Sequence, residues 1–315
     1  MLKTVKKQFK LFEQFIEDRV FESGNAFDGV VPIPAEYQKP TFEILENQFI
    51  KKVLGLKSDE YGVLGSTFKK KPGTSSGDID IAVNGLVFGA NRGLNFGDVV
   101  DEVYNELKKT FPKYTVNLTK GLGVTNIKFP QYDEKGKMTK DFAQIDFMVV
   151  DDISLATFIY HSPDFTKNES IYKGVYRTKL IYDIIQHIDF DDKPELYKAE
   201  FEGEYEGLVK SFRKYTLTAH DGLKTQVKSF EGKRGRKKNA STVKGADKAI
   251  TKSVDAIAKF VLGPDGTPMD LNSFESIWKW IHSSKFLHKH KLDKIIETYK
   301  KSILNANFPL PKEIQ

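Results

Sequence analysis

The chain has no cysteine, which excludes disulfides, thiolate nucleophiles and thiolate-held zinc. It also lacks any long apolar run. Nothing approaches the roughly 20 consecutive apolar residues that a membrane helix needs, and the opening MLKTVKKQFKLFEQFI interleaves lysines with apolar side chains where a secretory leader has an unbroken apolar stretch. No membrane partner is therefore expected, and a cytoplasmic location is. An excess of one charge is missing too: 49 Lys and Arg against 43 Asp and Glu give only +6. At 39% hydrophobic and 29% charged, the chain has the composition of a folded protein rather than a disordered one. A length of 315 residues suggests about two domains.

What charge there is lies in one place. Residues 224–252 hold ten basic and two acidic side chains, a net +8, which leaves −2 for the rest. The middle of this strip, about 228–246, is poor in apolar residues and is read as a flexible segment that cannot offset its own ordering entropy; helix is expected to resume near Asp247. Its cluster Lys233, Arg234, Arg236, Lys237 and Lys238 reads either as the solubilising charge of a polar loop or as the electrostatic footprint of phosphate-backbone binding.

Hydrophobic spacing divides the chain into three regions. In residues 1–39, Val5, Phe9, Phe12, Ile16 and Val20 recur every three to four positions and predict an amphipathic helix, followed by a proline-bearing link. From Thr41, read as an N-cap, TFEILENQFIKKVLGL predicts a second helix. YGVLGS and DIDIAV then read as strands, GDVVDEVYNELKKTF as a helix, and YTVNLT, VTNIKF and DFAQIDFMVV as further strands. Residues 40–152 are thus an α/β core on a mixed sheet. Across 153–315 strand signals fade, and SIYKGVYRTKLIYDIIQHI, PELYKAEFEGEYEGLVKSFRKYTLTAH, ADKAITKSVDAIAKFVLG, LNSFESIWKWIHSSKFL and KLDKIIETYKKSILNA predict a mainly helical domain. The fold class expected is α+β.

Three features of the core point to one chemistry. Gly65-Ser66 closes an apolar strand and leads into the polar loop TFKKKPGTSSG; a glycine and a small hydroxyl in a tight turn let backbone N–H groups approach phosphate oxygens. Asp78-Ile79-Asp80 opens the next strand, and side chains two apart on a strand share a face. Asp146 sits between Ile145 and Phe147 in a strand that is otherwise apolar, where an uncompensated charge is costly. Three such carboxylates can hold two divalent cations about 3.5–4 Å apart, the clamp for in-line displacement at phosphorus.

This pattern of Gly-Ser, an eleven-residue loop, Asp-x-Asp between apolar neighbours and a later isolated Asp resembles the signature of the nucleotidyltransferase superfamily typified by DNA polymerase beta. The segment Ser75-Ser76-Gly77-Asp78-Ile79-Asp80-Ile81 is particularly similar. The resemblance implies a palm-like core in which Asp78 and Asp80 bind two Mg²⁺ or Mn²⁺ ions, Asp146 binds the catalytic ion, and Gly65, Ser66, Lys70, Lys71, Ser76 and Gly77 line the nucleotide. From the helix after the core it implies nucleotide contacts by Arg177 and Lys179. Where relatives usually carry arginine after Gly-Ser, this chain has Lys69, Lys70 and Lys71, which meet a triphosphate as point charges and not bidentately. The implied reaction is transfer of a nucleoside monophosphate from an NTP to the 3′ hydroxyl of RNA or DNA. Two other readings stand beside it: transfer to a small molecule or protein hydroxyl, and a non-catalytic nucleic-acid-binding protein with a degenerate core.

Other motifs read as structural. Asp151 and Asp152 leave the last core strand and are expected to be solvated. Phe274, Ile277, Trp278, Trp280 and Ile281 have the spacing of a packed helix. His288 and His290, two apart among lysines, read as a solvated basic face.

Overall fold

A computed structural model describes residues 26–119, 123–188, 211–229, 241–242 and 248–315. The expected N-terminal helix and the basic cluster from Lys233 to Lys238 lie outside the described residues. Two compact units are present. One runs to Thr178 and takes in Asn272–Glu275; the other comprises Lys179–Leu271 and Ser276–Gln315.

The first unit is built on a mixed five-stranded sheet whose strands lie in the order Tyr61–Val63, Asp78–Asn84, Met138–Val150, Val124–Tyr132 and Val116–Thr119. After the short β1 (Ile33–Pro34), helix α1 (Ala35–Leu45) continues as a turn of π-helix over Glu46–Lys51, and β2 (Tyr61–Val63) follows. β3 (Ser75–Ser76) pairs with β1, and β4 (Asp78–Asn84) enters the main sheet antiparallel to β2. Helices α2 (Gly85–Arg92) and α3 (Phe96–Thr110) lead to β5 (Val116–Thr119), β6 (Val124–Tyr132) and β7 (Met138–Val150), which runs parallel to β4. α4 (Ile153–Ile159) and α5 (Gly174–His187) come next.

Strand alternation sets what each face of this sheet does. Ile79, Ile81 and Val83 of β4, Ile127 and Phe129 of β6, and Ile145, Phe147 and Val149 of β7 pack in one core with Phe42, Leu45 and Phe49 from α1 and its continuation and with Val99, Val103 and Leu107 of α3. The residues between them, Asp78, Asp80, Asn126, Gln144 and Asp146, therefore share the opposite face. A one-residue slip would turn the carboxylates into the core.

The first helix begins earlier than the sequence suggests. It starts at Ala35 and carries Pro40 inside it, at the cost of the bond to the carbonyl of residue 36. Thr41 is no N-cap: it is fully buried, and its Oγ1 accepts the Tyr132 N–H at 2.9 Å. Asp152 is not simply solvated, since its carboxylate caps α4 by accepting the Leu155 N–H at 3.0 Å.

The C-terminal part is mainly helical, with α6 (Val254–Leu262), α7 (Phe274–Ile281) and α8 (Leu292–Asn305) after the end of α5. It also holds an antiparallel sheet that the helical reading misses: β8 (Ser211–Thr218), β9 (Gly222–Ser229), β10 (Ser241–Thr242) and β11 (Lys248–Thr251). Asp221-Gly222 makes the β8–β9 turn, with Gly222 at φ +70°, and a Cβ there would lie 2.4 Å from the Thr251 carbonyl. Helix resumes at Val254 behind the Ser253 cap, not near Asp247, because residues 248–251 pair with β9. Leu217 and Leu223 are buried, and Tyr215 meets Phe260 of α6 edge-on at 4.7 Å. His288 departs from the solvated face expected of it: it is 8% exposed, with Nε2 3.2 Å from the Phe260 carbonyl. Phe274, Ile277 and Ile281 are buried as expected. No described helix is long and apolar enough to cross a membrane.

Candidate metal centre

Asp78, Asp80 and Asp146 come together with carboxylate oxygens all within 4.8 Å of one another. Register explains the meeting. In the parallel β4–β7 pair Asp80 stands opposite Asp146 and Asp78 opposite Gln144, so one short Asp-x-Asp and one isolated Asp meet across a single ladder. Asp78 and Asp146 are buried, 7% and 5% exposed. Like charges this close repel by roughly 3 kcal/mol per pair at an effective dielectric of about 20. Oxygen-only donors at this spacing suit a hard divalent cation, which removes the repulsion. The buried triad can therefore hold a metal ion.

Two carboxamides on the same face complete the surroundings of Asp146. Asn126, opposite it on β6, donates from Nδ2 to Oδ1 at 2.5 Å. Gln144 donates from Nε2 to Oδ1 at 2.9 Å and to Oδ2 at 3.1 Å. Neither was singled out in the sequence; polar residues facing Asp146 across or along an apolar strand were the available signal. Tyr160 is a further neighbour: burial and the Asp80 charge push its hydroxyl up to about 12, which keeps it protonated.

Gly65 is required by the space it leaves. It adopts φ +60°, and a Cβ on it would come within 2.8 Å of Asp80 Oδ2. Its N–H donates to the Tyr160 carbonyl at 3.0 Å, and it forms a parallel bridge with His161. The hydroxyls of Ser66 and Ser76 lie 3.2 Å apart, so the two ends of the loop meet there, with Gly77 leading from Ser76 directly into Asp78.

The loop between them is held on both sides. Toward α1, the Phe68 N–H donates to Gln38 Oε1 at 2.7 Å, and the Gly73 N–H donates to Glu36 Oε1 at 2.6 Å. Phe68 sits at φ +63°, a costly conformation for a bulky residue. Toward the segment after α4, Lys69 Nζ donates to the Ser162 carbonyl at 2.9 Å and Lys71 Nζ to Asn168 Oδ1 at 2.6 Å. Lys70 lies over the Phe165 ring at 5.1 Å. Burial, with the Lys173 charge adding to it, holds the Lys70 ammonium below its ordinary range, while the Asp78 charge opposes that shift.

Behind the loop, His161 is held neutral. Burial, with Arg177 and Lys69 nearby, pulls its ring down to about 3, and among the described residues Nε2 has no hydrogen-bond partner. Arg177 is only 1% exposed, with its guanidinium over the Phe158 ring at 4.8 Å and NH1 3.5 Å from the Ile159 carbonyl. Lys179 belongs to the second unit. Searches for likeness to known proteins add nothing to this geometry: no family model matches the chain, and no curated protein matches it.

Proposed function

We propose that the chain is a divalent-metal-dependent nucleotidyltransferase that moves a nucleoside monophosphate from an NTP to the 3′ hydroxyl of a nucleic acid, releasing pyrophosphate. The observation that carries this reading is the acidic triad, with oxygens within 4.8 Å, facing a lysine-bearing loop whose Lys70 senses Asp78. Acid floor and basic loop together suit a metal-bound polyphosphate, which is anionic yet needs cations at its oxygens.

Asp78 and Asp80 would hold both ions and Asp146 one of them. When bound, Mg²⁺ or Mn²⁺ supplies neutralisation of the phosphate charge and polarisation of the attacking hydroxyl. The rest falls to the protein's own groups. Gly65 and Ser66 let the backbone approach the phosphates, and Ser76 with Gly77 closes the opposite side. Lys70 and Lys71 meet the β- and γ-phosphates as point charges, and exposed Lys173, whose charge Lys70 senses, joins them. The new bond forms between the 3′ oxygen and the α-phosphorus, the bond to pyrophosphate breaks, and the hydroxyl proton passes to water. Lys233, Arg234, Arg236, Lys237 and Lys238 serve the acceptor through its backbone, so binding is sequence-tolerant and weakens with salt.

The test incubates labelled NTPs with RNA and DNA primers and Mg²⁺ or Mn²⁺. Primer extension is expected from the wild type and none from Asp78→Ala/Asp80→Ala. Equal product from both sinks the proposal, and label appearing on a small molecule or on protein instead of the primer moves the acceptor to that class.

A further inference from the structure

Lys173 stands between two residues that the fold pins. On one side, Gly174 presses on the segment after α4, where a Cβ would lie 2.7 Å from the His161 carbonyl oxygen. On the other, Tyr172 meets Phe274 of α7 edge-on at 4.9 Å and Tyr176 of α5 at 5.2 Å. Phe274 and Glu275 belong to the first unit, although 105 positions separate Glu275 from Ser170.

Glu275 ties down the turn that precedes Lys173. Its carboxylate accepts the Ser170 hydroxyl, at 2.9 Å to Oε1 and 2.7 Å to Oε2, and Oε1 also accepts the Ile171 N–H at 3.1 Å. Ser170 is buried and has one proton to give, which the charged acceptor takes in preference to the Tyr172 carbonyl at 3.2 Å. Ser170 Oγ then accepts the Tyr172 N–H at 2.9 Å. A chain of bonds thus runs from the Tyr172 amide through Ser170 to Glu275, and each bond in such a chain polarises the next. Ser170, Ile171 and Tyr172 are all held by it, and Lys173 follows directly.

Lys173 itself is exposed, so these bonds do not serve to bury it; they fix where its backbone stands. Its charge acts on Lys70, which also senses Asp78. Like charges held in this way repel, and an anion that meets both lysines removes the cost. We propose that Glu275 and Ser170 are positioning residues that set Lys173 for the outer phosphates of the nucleotide, so that a residue late in the chain completes the site. A lysine is a point charge on a flexible stem, and fixing its backbone lowers the entropy lost when it takes a ligand. This inference rests on the reading of Lys70 and Lys173 as polyphosphate ligands.

The experiment uses the full chain, with Mg²⁺ and inorganic tripolyphosphate as the probe and titration calorimetry as the readout. Lys173→Ala, Glu275→Ala and the double variant form a cycle that isolates their coupling. Lys173→Ala is expected to weaken tripolyphosphate binding about tenfold, the scale of one hydrogen bond to a charged group. Glu275→Ala should weaken it by less, because the lysine remains and only its placement is lost. The double variant should bind no more weakly than Lys173→Ala, since Glu275 acts only through that lysine. Near-UV circular dichroism reports folding, and if Glu275→Ala does not fold, Ser170→Ala takes its place in the cycle. Undiminished binding by Lys173→Ala or by Glu275→Ala, or the same loss from Glu275→Ala with and without Lys173, overturns the positioning role alone. Failure of the wild type to bind tripolyphosphate overturns the polyphosphate site and the positioning role with it.

Discussion

The acidic and basic sides of the centre are built in opposite ways. The acids stand on strands, and their mutual distances are set by the β4–β7 ladder, whose register extends from Asp78–Gln144 to Asn84–Val150. The lysines stand on a loop whose shape depends on single hydrogen bonds that it donates to Gln38, Glu36 and Asn168. Coordination tolerates small errors poorly, so its ligands sit where a whole sheet resists displacement. A flexible polyphosphate, the ligand of the proposed function, would tolerate more, and lysines on a tethered loop would suffice for it.

On the proposed function, this contrast makes the acidic side expensive to stability and indispensable to transfer. Asp78→Asn/Asp80→Asn should abolish the proposed transfer while raising the metal-free melting temperature, because the repulsion of roughly 3 kcal/mol for each close carboxylate pair is relieved; calorimetry without metal, paired with the primer assay, checks both. A melting point that falls would show that the carboxylates are already balanced by the protein.

The next effect in size comes from behind the loop. His161 has a folded value near 3 against about 6.5 unfolded, so between those values the unfolded chain binds the extra proton. Its contribution is complete above about pH 6.5 and is lost as pH falls toward 3, amounting to roughly 2–4 kcal/mol after allowance for partial solvent access. Arg177 and Lys69 are the charges facing it. His161→Phe should flatten the stability slope over this window in urea titrations. An unchanged slope would assign acid sensitivity to other groups.

Gly65→Ala probes the joint between the two sides. The left-handed backbone alone costs about 1–2 kcal/mol, and the added methyl presses on Asp80 Oδ2 at 2.8 Å. Metal affinity should therefore fall more than stability does, as Mn²⁺ titration and thermal melts together would show. On the loop itself, Gln38→Ala removes the acceptor for Phe68 and should cost about 1–2 kcal/mol. Lys71→Ala, with its exposed partner Asn168, should leave stability within about 0.5 kcal/mol and raise the KM for NTP. A loss of kcat as large as that of the Asp variants would erase the distinction between rigid floor and adaptable loop.

The floor was legible in the sequence for a physical reason. Alternation in Asp78-Ile79-Asp80-Ile81 assigns acids and apolar residues to opposite faces, and Asp146 between Ile145 and Phe147 does the same one strand away. The two carboxamides bonded to Asp146 are not, because Asn126 and Gln144 acquire meaning only from cross-strand register. Arg177 shows the converse: its type suggests a phosphate ligand, and its helix position turns it inward. In the C-terminal part, Lys248–Thr251 has helix-forming residues but pairs with β9, a case of tertiary pairing overriding local preference. The Asp221-Gly222 pair between strand-like runs is a hairpin signal, and the β8–β9 ladder closes there.

The bonds that finish the centre join residues far apart in the chain: 118 positions separate Ala26 from Gln144, and 93 separate Lys69 from Ser162. Closing such spans costs chain entropy before any contact repays it. During synthesis Asp78 and Asp80 emerge long before Asp146 and the segment that tethers the loop. A growing chain therefore has no assembled acid cluster until Asp146 has emerged and come into register opposite Asp80.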